Sequence, residues 1–270
     1  MSDCKSWDKY TGRRVKAGSG SGGGGGDLYS NSNPTPEDVG GIPAGSTFTN
    51  QTMQQMWDAL LYPYQYPAFT SFTIDRPTTV EVGDNLGNSF KADWTTSNSG
   101  NVQPNTIKIE DLTAGETGVI DSANDGTENF TQSADVTHNT PTNHTWRISA
   151  QNTKGDTFSR NYTVHFYYRM FYGESNDTTL DENGVESLRA NLLSNTFART
   201  YHFQAGGYKY IAYPTAWGEA TEFKDADTGF AVAMETPYVI TITNANGVSY
   251  DVRVHRTTNV INSELNMIVS

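Results

Sequence analysis

The chain has 270 residues, with 18 Lys and Arg against 30 Asp and Glu, a formal net charge of −12 that argues against a nucleic-acid partner because phosphates are held by Lys and Arg. One cysteine, Cys4, permits neither an internal disulfide nor a cysteine metal cage, and no apolar run nears the roughly 18–20 residues of a membrane span, so no membrane insertion is expected. Much Thr, Asn, Ser and Gly with 12% aromatics is the composition of β-structure with polar turns, not of helical bundles.

Residues 1–17 carry five basic side chains (Lys5, Lys9, Arg13, Arg14, Lys16) and two acidic ones, so this segment is +3 and the remainder −15. The segment lacks the apolar stretch of a secretory signal. It reads either as a disordered start or as an anchor peptide that orders on a partner. In the second reading Trp7 and Tyr10 are the ring anchors, and Lys5, Lys9, Arg13 and Arg14 supply the charge. Residues 18–26 read GSGSGGGGG, within a linker over 18–33. No Lys-Ser/Thr pair follows the glycines, so a phosphate loop is excluded. As a coil these nine residues span roughly 16 Å, which makes them a tether.

Over 34–69 a Pro/Gly-rich stretch precedes a short helix. Met53, Met56, Trp57, Leu60 and Leu61 fall at helical spacing on one face. Thr49 or Asn50 is expected to cap it, and Pro63 to end it. So short a helix is marginal alone, so its stripe must be buried, either on the chain's own β-structure or against further copies. The stretch after Leu61, rich in Tyr and Pro, reads as an extended connector packing its rings on a neighbour.

Residues 70–172 alternate as strands: Phe72 and Ile74; Val80 and Val82; Phe90, Ala92 and Trp94; Ile107 and Ile109; Trp146, Ile148 and Ala150; Tyr162, Val164, Phe166 and Tyr168. Period-two strands separated by turn clusters predict an immunoglobulin-like β-sandwich. Residues 173–270 read as a second β-rich domain. Val185, Leu188, Leu192 and Leu193 suggest one helix there, and Asn244-Ala245-Asn246-Gly247 joins a hairpin. In its last arm Val248, Tyr250, Val252 and Val254 face one way, and His255 faces the other, toward solvent. The expected fold is therefore mainly β, with an anchor peptide, a glycine linker and a short helix ahead of two β-domains.

No catalytic, cofactor or metal site is expected. The five histidines are scattered, with no pair at i, i+4. Asp225-Ala226-Asp227-Thr228-Gly229 resembles a calcium loop only faintly and reads first as a closed turn, with a calcium site at Asp225 and Asp227 left open. Glu219, near Trp217 and Tyr213, is an acid in aromatic company, but one sequence does not set the carboxylate spacing that glycoside cleavage needs. No Gly-x-Ser-x-Gly elbow occurs.

The string GGIPAGSTFTNQTMQQMWDALLYPYQYPAF at 40–69 resembles a segment recurring in structural proteins of tailed bacteriophages, including marine and crAss-like phages. YKYIAYPTAWG at 208–218 and TGFAVAMETPYVITITNANGVSYDVRVHRTTN at 228–259 resemble the closing domain of the same proteins. The resemblance implies a fibre, spike or decoration protein on the virion exterior, often a homotrimer, whose partners are capsid, neck or tail proteins. It brings no catalytic residues, and the tether and basic peptide are not part of the pattern. A different class of reading is a carbohydrate-binding protein for host attachment, since 15 Tyr and 5 Trp supply ring faces for host surface glycans. A polysaccharide-degrading enzyme is the third reading.

Overall fold

A computed structural model describes residues 6–7, 14–15, 28–119 and 126–270. The linker glycines at 18–26 and the expected anchor residues Lys5, Lys9, Tyr10 and Arg13 lie outside these. The chain divides into two compact units, Met1–Gln65 and Tyr66–Ser270. Among the described residues the fold is mainly β, with several sheets and two short α-helices.

In the first unit, strands β1 (Ser6–Trp7) and β2 (Arg14–Val15) pair antiparallel, with Trp7 opposite Arg14. β3 (Leu28–Asn31) and β4 (Phe48–Thr52) form a second antiparallel ladder, and β4 leads directly into helix α1 (Met53–Leu61). Thr52 caps the helix. Its Oγ1 accepts from the Gln55 amide at 3.2 Å, and Gln55 Oε1 accepts from the Thr52 amide at 2.8 Å. The cap is not at Thr49 or Asn50, because both stay in the ladder, where Asn50 takes a φ of 52° beside a bulge. Gly40 and Gly41 lie directly on the helix. The Gly41 amide donates to Ala59 O at 3.0 Å, and a Cβ there would stand 2.3 Å from that same oxygen. Only glycine allows this approach.

In the second unit, β5 (Ala68–Ile74), β6 (Thr79–Glu81), β7 (Ser89–Ser97), β8 (Lys108–Asp111), β9 (Glu116–Val119), β10 (Gly126–Thr131), β11 (Thr142–Gln151) and β12 (Thr157–Ser175) come first. The sheet β10-β7-β5 faces β6-β12-β11-β8-β9 across one apolar core. Phe72, Ile74, Phe90, Ala92 and Trp94 enter it from one side, and Val80, Val82, Ile109, Trp146, Ile148, Val164 and Phe166 from the other. Every one of these is a residue whose alternation pointed inward. Phe90 packs edge-on against Trp146 at 5.2 Å, near the centre of this sandwich.

The remaining elements are α2 (Glu182–Glu186), β13 (Ala190–Ser194), β14 (Arg199–Phe203), β15 (Tyr208–Pro214), β16 (Phe223–Asp225), β17 (Tyr238–Thr243), β18 (Ser249–Arg256) and β19 (Leu265–Val269). β12 runs for 19 residues and belongs to both halves: its first part pairs with β11 and its end with β15. The boundary expected at 172/173 thus falls inside one strand, and a sheet ordered β17-β18-β15-β12-β11-β8-β9 passes through it. The apolar cores do divide there. Tyr210, Ala212, Val252 and Val254 pack with α2 on one face of the sheet. Ile211 and Tyr213 pack on the other face with Tyr201, Phe203, Met267 and Val269, supplied by the cover sheet β14-β19-β16.

Two expectations need correction. The helix read through Leu193 stops at Glu186, because Leu192 and Leu193 extend the ladder on β12, opposite Met170 and Arg169. His255 does not face solvent. The cover sheet closes over its side of β18 and leaves it 2% exposed. The hairpin at Asn244-Ala245-Asn246-Gly247 forms as expected, with Gly247 at a φ of 76°. It also ties the two halves together, since Asn244 Nδ2 donates to Val82 O at 2.8 Å and Asn246 Nδ2 to Asp84 Oδ1 at 2.7 Å. Among the described residues no helix is long and apolar enough to cross a membrane.

Candidate functional site

Helix α1 carries the candidate interface. Its nine residues give it a length of roughly 14 Å. None of them is buried. Met53, Trp57 and Leu61, spaced at i, i+4 and i+8, are 58%, 51% and 61% exposed and form a ridge. Met56 and Leu60 flank the ridge and are half-buried. On the polar side Gln54 Nε2 donates to Asp58 Oδ1 at 2.8 Å. The helix is therefore fixed by its cap and by the glycine contact, while its apolar ridge stays open. Beyond it, Tyr62 is also largely exposed, so the connector's rings are not all packed away as expected. Of the expected anchor residues only Trp7 and Arg14 fall on described backbone, and the antiparallel pairing of β1 and β2 puts them opposite each other.

A second constellation is buried in the sandwich. Asp111, at the end of β8, is 1% exposed. Its Oδ1 accepts the Thr113 and Ala114 amides, each at 2.8 Å. Its Oδ2 accepts His144 Nε2 at 2.7 Å and also Gln132 Nε2. Gln132 Oε1 in turn accepts Trp146 Nε1 at 3.1 Å, and His144 Nδ1 meets His138 Nε2 at 2.9 Å. An ionised carboxylate only accepts, so His144 donates from Nε2. With a neutral His144, Nδ1 accepts from His138, and that pairing sets both tautomers. Burial pushes the Asp111 carboxyl up, but the hydrogen bonds from His144 and the Ala114 amide outweigh it and hold the group below its ordinary value. For His138, burial and the neighbouring His144 push the ring's value down.

In the sequence these histidines read as scattered, because a separation of six positions carries no signal. The turn entering β11 folds His138 back onto His144. The chain of bonds runs Asp111–His144–His138, the order of a proton relay; with Gln132, just past β10, it joins β8 and β11, buried at Asp111 and half-exposed at His138, where it meets the wall of a small pocket. Its observable role is to satisfy buried polar groups.

Asp225 closes a turn: Oδ1 accepts the Asp227 amide and Oδ2 the Thr228 hydroxyl, both at 2.9 Å. These bonds hold its carboxyl below the usual value. Among the described residues no cluster of three metal-ligating side chains occurs. Glu219 is exposed.

No protein-family model matches the chain, and no curated protein matches it significantly.

Proposed function

We propose that the chain is a structural component of a tailed-bacteriophage virion: a projecting fibre or decoration subunit of the head, neck or tail, on the particle exterior. In this reading the N-terminal segment docks on a capsid, neck or tail protein, α1 joins three copies, and the β-rich unit projects. The observation that carries it is the open ridge of Met53, Trp57 and Leu61 on a helix too short to persist without burial. The resemblance at 40–69 falls on this same element, including the glycine pair that seats it. No catalytic role is assigned.

The energetics favour a concentration-dependent trimer. Met53, Trp57 and Leu61 are 58%, 51% and 61% exposed, so burying what remains of them contributes roughly 3–5 kcal/mol per protomer. That is of the order of the rotational and translational cost of association, about 4–15 kcal/mol. Docking on a particle, which holds copies close together, lowers that cost. Light scattering on the full chain over rising concentration is expected to approach three times the 29.7 kDa chain mass. Met53→Glu with Trp57→Glu is expected to return it to one, with an unchanged far-ultraviolet spectrum of the β-rich unit. A wild-type protein that stays monomeric throughout rules the bundle out. For the anchor, deleting residues 1–26 is expected to leave a folded body that no longer enters particles. Normal incorporation of that truncation moves the attachment to 34–69.

A further inference from the structure

We infer that the groove between Tyr167 and Trp217 binds a neutral glycan. The inference concerns the second unit alone and stands whether or not α1 forms a trimer. The groove has a volume of about 430 Å³, within the usual range for ligand sites. Four elements meet around it: the start of β11 with Thr142 and Asn143, the middle of β12 with Tyr167, the end of β13 with Ser194 and Asn195, and the turn after β15 with Trp217.

Both rings are held in place. Tyr167 stacks on His165, with centroids 5.5 Å apart and planes within 16°. Trp217 lies parallel to the buried Tyr213, at 6.4 Å and 3°. Each ring is only half-buried, so part of it faces outward. His165 Nδ1 meets Asn143 Oδ1 at 2.7 Å; the amide oxygen can only accept, so the histidine donates. That bond fixes the orientation of the Asn143 amide and leaves its Nδ2 donors for another partner. Asn195, at the groove wall, is exposed.

The chemistry of the lining selects the ligand. None of the lining residues is ionisable at neutral pH, in a chain with 48 Lys, Arg, Asp and Glu residues. Arg199 stands behind the wall, its Nη2 donating to Ser194 Oγ at 2.9 Å, but no cation or carboxylate lines the groove itself, so neither an acidic sugar nor a basic peptide meets an opposite charge on its surface. What the groove offers is two fixed ring surfaces with amides and hydroxyls between them. A hexose has the matching form: an apolar C–H face to lie on a ring and a rim of hydroxyls that both donate and accept. Rigid rings and short polar side chains also lose little conformational entropy on binding.

The test uses the full chain on an array of neutral and acidic oligosaccharides. Intrinsic fluorescence titration then follows with neutral hexose and N-acetylhexosamine tetramers. Expected is binding of at least one neutral probe, with a fluorescence change that Trp217→Ala abolishes. Because Trp217 also packs on the core, two further variants separate binding from folding. Asn195→Ala, an exposed change, is expected to weaken binding severalfold at unchanged melting temperature. Trp217→Phe is expected to restore most of what Trp217→Ala loses. Trp57→Ala, in the other unit, is expected to leave glycan binding intact, so loss of the trimer and loss of the glycan site read out separately. No binding to any neutral probe at millimolar concentration, binding of acidic probes only, or full binding by Trp217→Ala each overturns the inference.

Discussion

Asp111→Ala is expected to destabilise the β-rich unit by about 3–5 kcal/mol, near the low end of the cost of leaving several buried donors without their acceptor. The physical cause is what remains. Four donors converge on this carboxylate: the Thr113 and Ala114 amides, His144 Nε2 and Gln132 Nε2. Without it they stay in the core unpaired, and each such group costs about 1–3 kcal/mol. In a unit of this size that corresponds to a fall in melting temperature of roughly 6–20 °C. Asp111→Asn separates geometry from charge. Its amide oxygen still accepts the two backbone amides, and its NH2 can donate to His144 once both histidines switch tautomer. Only the Gln132 contact then opposes donor to donor, so a loss of about 1–2 kcal/mol is expected. Urea melts followed by tryptophan fluorescence read both variants, because Trp146 is bonded into the same network. A loss under 1 kcal/mol for Asp111→Ala shows that the network is not what holds β8, β10 and β11 together.

The sandwich was legible in the sequence because its sheets are covered on one face. Alternation then states directly which residues turn inward, and Phe90, Ala92 and Trp94 or Trp146, Ile148 and Ala150 are all buried. The second half was less legible because its central sheet is covered on both faces. β15 reads Tyr-Lys-Tyr-Ile-Ala-Tyr-Pro with no polar face to mark an outside, and even Lys209 is buried, donating from Nζ to Gly206 O at 2.7 Å and to Gln204 O. The cover strands β14, β16 and β19 are short and come from distant stretches of chain, so no local period announces them. His255 was misread for the same reason: the rule that the face opposite an apolar row is wet fails when a second sheet lies on it. The α1 stripe was visible through its spacing, and the structure adds that the ridge stays open. The Asp111 network and the Tyr167–Trp217 groove are products of strand juxtaposition, which residue spacing along one chain does not encode.

Acid should weaken the fold through His255 in particular. Tyr213 Oη receives the Ala220 amide at 2.8 Å and shares a hydrogen bond with His255 Nε2 at 2.9 Å. Burial of the ring favours its neutral form. Phe223 packs on it from β16 at 4.9 Å, and Arg253 precedes it by two residues on β18. Burial first, and then the Arg253 charge, push its value from 6.5 down to about 4. The unfolded chain takes up the proton at the ordinary value, so between those limits the unfolded state binds more protons and stability falls as the pH falls. The loss amounts to about 3 kcal/mol by pH 4. His138, also pushed down, adds a change of the same sign. The Asp111 contribution persists until the pH drops below the ordinary carboxylate value, since its pKa is lowered in the folded protein. Guanidinium melts of the wild-type protein and His255→Gln at pH 7 and pH 4 test this. The glutamine keeps an acceptor for Tyr213 but does not titrate, so the variant is expected to lose about 3 kcal/mol less than the wild type over that range. Equal losses in the two proteins would assign the acid sensitivity to His138 and the Asp111 network instead.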